Sequence, residues 1–568
     1  MQVMALGMLQ TVAAWLGLGL ALAGVGLAVA RLAGRRVRGP AELADAFWTG
    51  WAVVAAFLLA WHLVAPVDEL ALGVVALGGL AALWAWGRPA LGAAAKQARG
   101  AWAWTAAGLL LILWLANRAM GPMDWCFDAG LYHVGAVRWA EAHPVVPGLG
   151  NLHFRLGFHS VHFLFLALVD RGPWEAGGQH LVNGLLLAML LAQGLVSLHR
   201  TLGRGRARAH DILRLGLLAP VVHRAFIHGA TDDPDLAVFV LGVVVSVSLC
   251  RMLFARTQAQ PPEFGALRVA LLAAAGTAVK LSFAPFGLAA VVVALWAARR
   301  SGARLRTAGL VAVLAAGVVL VPWVAGNVLL TGYPLYPSTV GGPAVDWRMP
   351  ADEVRAEARW IRSWAREHGR PPDEVLGDWA WLAAWARRTA RRFDVAGPLA
   401  LGGLAVALAL MRRRPTEGGH GREALLAAPG AAAVAVTFLV APDPRFAGAG
   451  LWVMAACAVV AAWRRWRGTG ATRVLAAGLL AAAVLVAARD AVRHGPLVPP
   501  GPERGFHPLP EAELRTVVTR AGLAVHTPVK GAQCWDGPLL CTPQPDPGLA
   551  LRQKGDLSAG FRMLGEEQ

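Results

Sequence analysis

The stretch Gly121-Pro-Met-Asp-Trp-Cys-Phe-Asp-Ala-Gly-Leu-Tyr-His133, continued by Pro147-Gly-Leu-Gly-Asn-Leu-His-Phe-Arg155, is the most functionally varied part of the chain. It holds Asp124, Asp128, Tyr132, His133, Asn151, His153 and Arg155. Carboxylates in such a loop can move protons at a reacting centre, and Asp128 and Asp124 are the candidates. Asp124, Asp128 and Tyr132 recur at four-residue spacing, so on one helix they would share a face. A hydrophobic wall beside a membrane span would raise the Asp128 carboxyl toward a working range. Asp, Asn and His also cap helices and satisfy loop backbone, which is the competing structural reading.

Three further places carry candidates. Thr231-Asp-Asp-Pro-Asp-Leu236 puts Asp232, Asp233 and Asp235 in one short loop. Their oxygens could hold a divalent metal; negative groups also cap a following helix, and capping is favoured for at least one of them. Lys280 lies between two apolar runs. An ammonium near membrane depth is costly unless it snorkels to the surface or meets an anion. Arg445, in Pro442-Asp-Pro-Arg-Phe446, sits in another tight turn. Lys280 and Arg445 together could clamp one phosphate, the arginine by its fork and the lysine as a point charge.

These loops need elements to position them, and the composition says which. Of 568 residues 57% are hydrophobic and 15% charged, against roughly 25% charged in a soluble globular protein. The apolar residues fall in runs of about 17–25, the length that crosses a bilayer. About 14 spans are expected, at 4–30, 46–66, 69–87, 102–119, 178–198, 213–229, 235–253, 267–281, 283–298, 307–325, 396–411, 424–441, 446–463 and 473–489. Phe158–Val169 is expected to form a partly inserted helix. The run from Met4 lacks a basic start and is long for a signal peptide, so it reads as a retained span. The net charge of +18 does not point to nucleic acid, because the arginines sit in short clusters between apolar runs. Alternate loops carry them: Arg31 to Arg38, Arg88 to Arg99, Arg200 to Arg208, Arg251 and Arg256, Arg299 to Arg306, Arg412 to Arg414, and Arg464 to Arg467. Those loops are expected on the cytoplasmic side, and the loops rich in candidate residues on the other.

The long segment 326–394 breaks the charge rule but exceeds the loop length over which it holds. Trp360 and Trp364, and Trp381 and Trp385, recur at helical spacing among charges there, which predicts two amphipathic helices lying on the membrane surface. All 3 tyrosines, Tyr132, Tyr333 and Tyr336, fall in loops of the same side. Five cysteines exclude a disulfide-dense scaffold. Cys534 and Cys541 lie in a turn-rich stretch of the tail and are expected to pair in an oxidising compartment, with Cys126, Cys250 and Cys457 unpaired.

Several stretches resemble an uncharacterised bacterial membrane-protein family related to the GT-C glycosyltransferases, which use polyprenyl-phosphate sugars. They are Asp128-Ala-Gly-Leu-Tyr-His133, Val146-Pro-Gly-Leu-Gly-Asn-Leu-His153, Gly332-Tyr-Pro-Leu-Tyr-Pro337, Asp346-Trp-Arg-Met-Pro350, Pro442-Asp-Pro-Arg-Phe446 and Cys534-Trp-Asp-Gly-Pro-Leu-Leu-Cys-Thr-Pro543. The chain lacks the Asp-Glu pair that often opens the GT-C loop; Asp128 is its closest counterpart, then Asp124. The resemblance implies an all-α membrane fold in the bacterial inner (cytoplasmic) membrane. Residues 1–100 would be additional helices and 101–489 a GT-C-like core with outer loops 120–177 and 326–395. Residues 490–568 would be an extracytoplasmic tail. The implied partners are a polyprenyl-phosphate-linked sugar and membrane lipids. The implied catalytic set is Asp128, Asp124, Tyr132 and His133. Lys280, Arg445, Asn151, His153, Arg155, Tyr333 and Tyr336 would bind substrate. The alternatives are a transporter or lipid flippase, or a non-catalytic envelope-assembly protein. A transporter would place ionisable groups near the bilayer midplane, whereas here they lie mostly near span ends, with His223 and Arg224 the main exception.

Overall fold

The computed structural model describes residues 2–175, 177–254, 261–411, 421–466, 468–502 and 504–564. The described chain is mostly helical, and 11 of its helices are long and apolar enough to cross a membrane. The number rises to 12 if Arg88–Gly100 and Trp102–Ala119, bent by 103° at their junction, form one span. This is a multi-pass membrane architecture; of the 14 expected spans, 213–229 and 446–463 are not single helices of that length. The stretch 213–229 divides into Ala209–Gly216 and Leu218–His228. Pro220 has no N–H to return to the preceding turn, so the break falls there. The stretch 446–463 is a helix of only 16 residues, Gly450–Arg465, after a short 3-10 turn. Val161–Val169 is a nine-residue helix with every side chain buried, inside the bundle rather than across it.

Small residues set how closely the first helices pack. A Cβ on Gly24 would stand 1.8 Å from the Gly79 carbonyl oxygen, and one on Gly50 1.8 Å from that of Leu22. Without a hydrophobic drive between helices in lipid, such close backbone approach is the main source of contact energy. Gln2–Leu32, Pro40–His62 and Glu69–Trp86 meet this way.

The bundle sorts its charges by end. At one end Asp45 binds Arg251 and Arg268, and Asp211 accepts from Ser197 and pairs with Arg200. Arg256, Arg412–Arg414 and Arg467 lie outside the described residues. At the other end the loops rich in candidate residues meet one another. Val67 donates its amide to the Ala140 carbonyl, Arg155 reaches Asp128 and Glu357, and Arg445 reaches Asp128 and Asp235. Alternating loops must alternate ends when each intervening segment crosses once, and the geometry follows that rule. The segment 326–394 does contain two helices with tryptophan at helical spacing, Ala351–Arg366 and Trp381–Thr389.

The tail is not helical. Leu514–Val518 pairs with Ala524–Pro528, and Leu549–Gln553 with Asp556–Met563, as two antiparallel hairpins. Cys534 and Cys541 are joined, while Cys126, Cys250 and Cys457 are free and buried. The tail lies on the loop end. Trp535 donates its amide to the Gly130 carbonyl, Phe561 donates to that of Pro147, and Arg138 forks onto Asp536 at 2.6 and 2.8 Å.

Candidate functional site

The loop between Ala119 and Val134 reaches Asp128 through an irregular turn and then winds as a π turn, Ala129–His133, with Asp128 at its N-terminal boundary. Such wide turns cost hydrogen-bond geometry and recur at functional sites. Asp124 falls in the turn before this helical stretch and is exposed. The shared helix face expected for Asp124 and Asp128 is therefore absent, because no helix spans both.

Six charged side chains from separate segments form an alternating chain across the loop end. Glu357 lies 3.3 Å from Arg155, and Arg155 lies 4.0 Å from Asp128. Asp128 is 3.8 Å from Arg445, Arg445 is 4.0 Å from Asp235, and the second oxygen of Asp235 contacts the Lys280 ammonium. The three central pairs, at 3.8–4.0 Å, are longer than a hydrogen bond. The neighbours expected beside Asp128 were hydrocarbon; the structure supplies guanidinium on both sides. The Asp128 carboxylate is 28% exposed and the Arg445 side chain 32%, whereas Asp235 is 7% exposed.

Each cation is held by more than its partner. Arg445 stacks over Trp364 and Phe446 at 4.8 and 5.0 Å, and its amide donates to buried Asp443. Lys280 interrupts the helical run in extended conformation after Pro262–Val279, and its ammonium lies 4.8 Å over the Phe446 ring. Lys280 and Arg445 thus converge, as expected of a joint clamp, but Asp235 occupies the position between them. Arg155 lies 5.8 Å over the Tyr132 ring. Burial raises the Tyr132 phenol well above its ordinary range, with the Asp128 charge adding to it. Burial likewise raises the Glu357 carboxyl, while Arg155 pulls it down.

The three aspartates of the 231–236 loop do not converge on one ion. Asp232 accepts from or shares a proton with His133 Nδ1 at 2.9 Å, both groups buried. Burial works against charge on His133, but Asp232 raises its pKa on balance. Asp233 caps the next helix by accepting from the Asp235 amide at 2.8 Å, and pairs with His228 at 3.2 Å. Asp235 faces Lys280 and Arg445. One capping role was expected, and Asp233 fills it.

The remaining candidates hold the loops together. Asn151 donates to the Trp347 carbonyl at 2.9 Å, and His153 Nδ1 accepts from the Arg155 amide at 3.1 Å. Burial and the Arg155 charge lower His153 to about 3. The Tyr333 hydroxyl donates to Met349 and that of Tyr336 to Phe154, and both side chains are buried. These hydroxyls are engaged by backbone rather than turned to a ligand. A cleft under the tail is lined by Tyr132, Arg138, His153, Trp535 and Leu539. Sequence reasoning missed Glu357 and Trp364, because both lie in a helix whose charges read as a solvated face. Only the spacing of Trp360 and Trp364 hinted at an apolar side.

A family profile described as "Domain of unknown function (DUF8201)" matches residues 8–452. The chain belongs to the DUF8201 family. The match takes in the first three helices and all six charges of the chain from Glu357 to Lys280. No curated protein and no solved structure matches this DUF8201 protein.

Proposed function

We propose that this DUF8201 protein is a GT-C-type glycosyltransferase of the bacterial inner membrane. It would move a sugar from a polyprenyl phosphate to an envelope acceptor at the extracytoplasmic face. The reading rests on one observation: a partly exposed carboxylate, Asp128, lies between two guanidiniums at 4.0 and 3.8 Å, with Lys280 one carboxylate further on. The Arg445 pairs are held by charge without hydrogen bonds, so an incoming phosphate can compete for Arg445 at little cost, with the Lys280 ammonium, hydrogen-bonded to Asp235, beside it. The acceptor oxygen attacks the anomeric carbon, and the bond from that carbon to the donor phosphate oxygen breaks. The electron pair leaves on polyprenyl phosphate, where Lys280 and Arg445 stabilise it. Asp128 takes the acceptor's proton. The large exposure of Trp379 and Trp360 fits a loop end resting at the membrane surface. In this reading residues 101–489 form the GT-C core, and 490–568 cover it from outside.

The test is transfer or hydrolysis of a radiolabelled polyprenyl-phosphate sugar by the pure full-length protein. Asp128→Asn keeps shape and removes basicity, so turnover should fall by about a hundredfold or more while donor binding persists. A variant that turns over at the wild-type rate overturns the assignment of the base. Wild-type protein that binds no polyprenyl phosphate overturns the donor class.

A further inference from the structure

We propose that Cys126, His133 and Asp232 form a binding site for a zinc-like divalent cation. The inference does not depend on the glycosyl-transfer reading. One potential ligand atom from each residue lies within 4.8 Å of the other two, and all three residues are buried. Cys126 precedes the π turn and His133 ends it, so the turn brings residues seven positions apart to one place, and Asp232 reaches them from the 230–233 loop.

The pairing within this group leaves capacity unused. His133 Nδ1 engages one oxygen of Asp232 at 2.9 Å; the other oxygen, Oδ2, is buried with no hydrogen-bond partner. Asp232 is 1% exposed. A buried carboxylate oxygen without a partner has capacity to accept a further ligand, ion or water. Next to the group stands His162, 0% exposed, its ring against the Asp232 backbone.

The donor set chooses the cation. One sulfur, one imidazole nitrogen and one carboxylate oxygen suit zinc, whereas calcium and magnesium take oxygen shells. Ligands about 2.0–2.3 Å from zinc stand roughly 3.3–3.7 Å apart in a tetrahedron. The His133–Asp232 pair must open by a few tenths of an ångström, and the thiol must swing inward by about 1 Å or less, for all three to share one ion. Three protein ligands leave a fourth position for water or another small donor.

Cobalt(II) is the probe, since bound thiolate gives it a near-ultraviolet charge-transfer band. Chelator-stripped full-length protein should take up one cobalt per chain and show that band, with zinc displacing it. Cys126→Ser should abolish the band, and Asp232→Asn should weaken cobalt binding at least tenfold. Because Cys126→Ser could misfold, a Cys250→Ser/Cys457→Ser variant, which keeps Cys126 as the only free thiol, is the companion; its band should remain. Absence of the band in wild-type protein overturns the site. So does a band that survives Cys126→Ser or disappears in the companion variant.

Discussion

The amide of Trp535 donates a hydrogen bond to the carbonyl of Gly130, at 3.0 Å. The disulfide loop of the tail is thereby seated on the same wide turn that carries Asp128. A Cβ on Gly130 would stand 2.5 Å from the Trp535 ring and 2.9 Å from Gln533 Cβ. Gly130→Ala should therefore lift the tail at a cost of about 1–3 kcal/mol. Limited proteolysis should cut residues 530–545 faster than in the wild type, with helical circular dichroism unchanged. Equal cleavage rates would mean that this contact does not hold the tail.

An ammonium near membrane depth either snorkels to the surface or meets an anion. The Lys280 ammonium contacts Asp235, which is 7% exposed. Lys280→Ala leaves that carboxylate with Arg445 at 4.0 Å as its remaining cation. Breaking a buried pair costs about 3–5 kcal/mol, and the partial exposure of Lys280 reduces this to roughly 1–3 kcal/mol. Adding Asp235→Ala should recover much of the loss. A double-mutant cycle on thermal stability measures the coupling, and simple additivity would contradict it.

Burial pushes the Glu141 carboxyl up to about 7, with the neighbouring Asp170 charge adding and Arg138 opposing. A carboxyl raised on folding contributes stability in full below its unfolded value near 4.5, and that contribution is lost as pH rises through about 7. The loss is bounded near 3 kcal/mol. Glu141→Gln stays uncharged and still accepts from Arg138, so it should stabilise the protein at pH 8 relative to the wild type and change little at pH 5. Melting curves across that range test the sign. A variant less stable than wild type at pH 8 would show that the ion pair with Arg138 outweighs burial.

Membrane orientation is testable with single cysteines at Trp379 and Arg204, which lie at opposite ends of the bundle and are exposed. A membrane-impermeant maleimide added to intact cells should label position 379 and spare 204. The reverse pattern would put the candidate site in the cytoplasm. Arg413, expected on the same side as Arg204, lies outside the described residues.

The helical membrane fold was legible because run length and arginine alternation are strong, local signals. Span count was less so. Pro220 interrupts an apolar stretch that hydropathy alone reads as continuous, and the run 446–463 opens with a 3-10 turn that leaves a helix of only 16 residues. Asp128, Arg155, Lys280 and Arg445 were legible as a group because loops of one side must share one end of a bundle. Their pairings were not. Nothing in the sequence says that Asp235 stands between Lys280 and Arg445, or that Asp232 turns to His133 while its neighbour Asp233 caps a helix. Adjacent residues point in different directions at the start of a helix, and only the packing of distant segments decides what each one meets. Glu357 was hidden for the same reason: its helix carries many charges, and burial of one of them depends on Arg155 in another loop.

The alternating charges from Glu357 to Lys280 also set an order of assembly. During synthesis Asp128 emerges first and Arg445 last of the six. Until the Pro442–Phe446 turn has crossed and docked, Asp128 and Asp235 lack the cation that lies between them. A chain stalled before that turn can pair Asp128 with Arg155 and Asp235 with Lys280, but nothing joins the two pairs. Closure of this end therefore waits on the last of the six charges to be made.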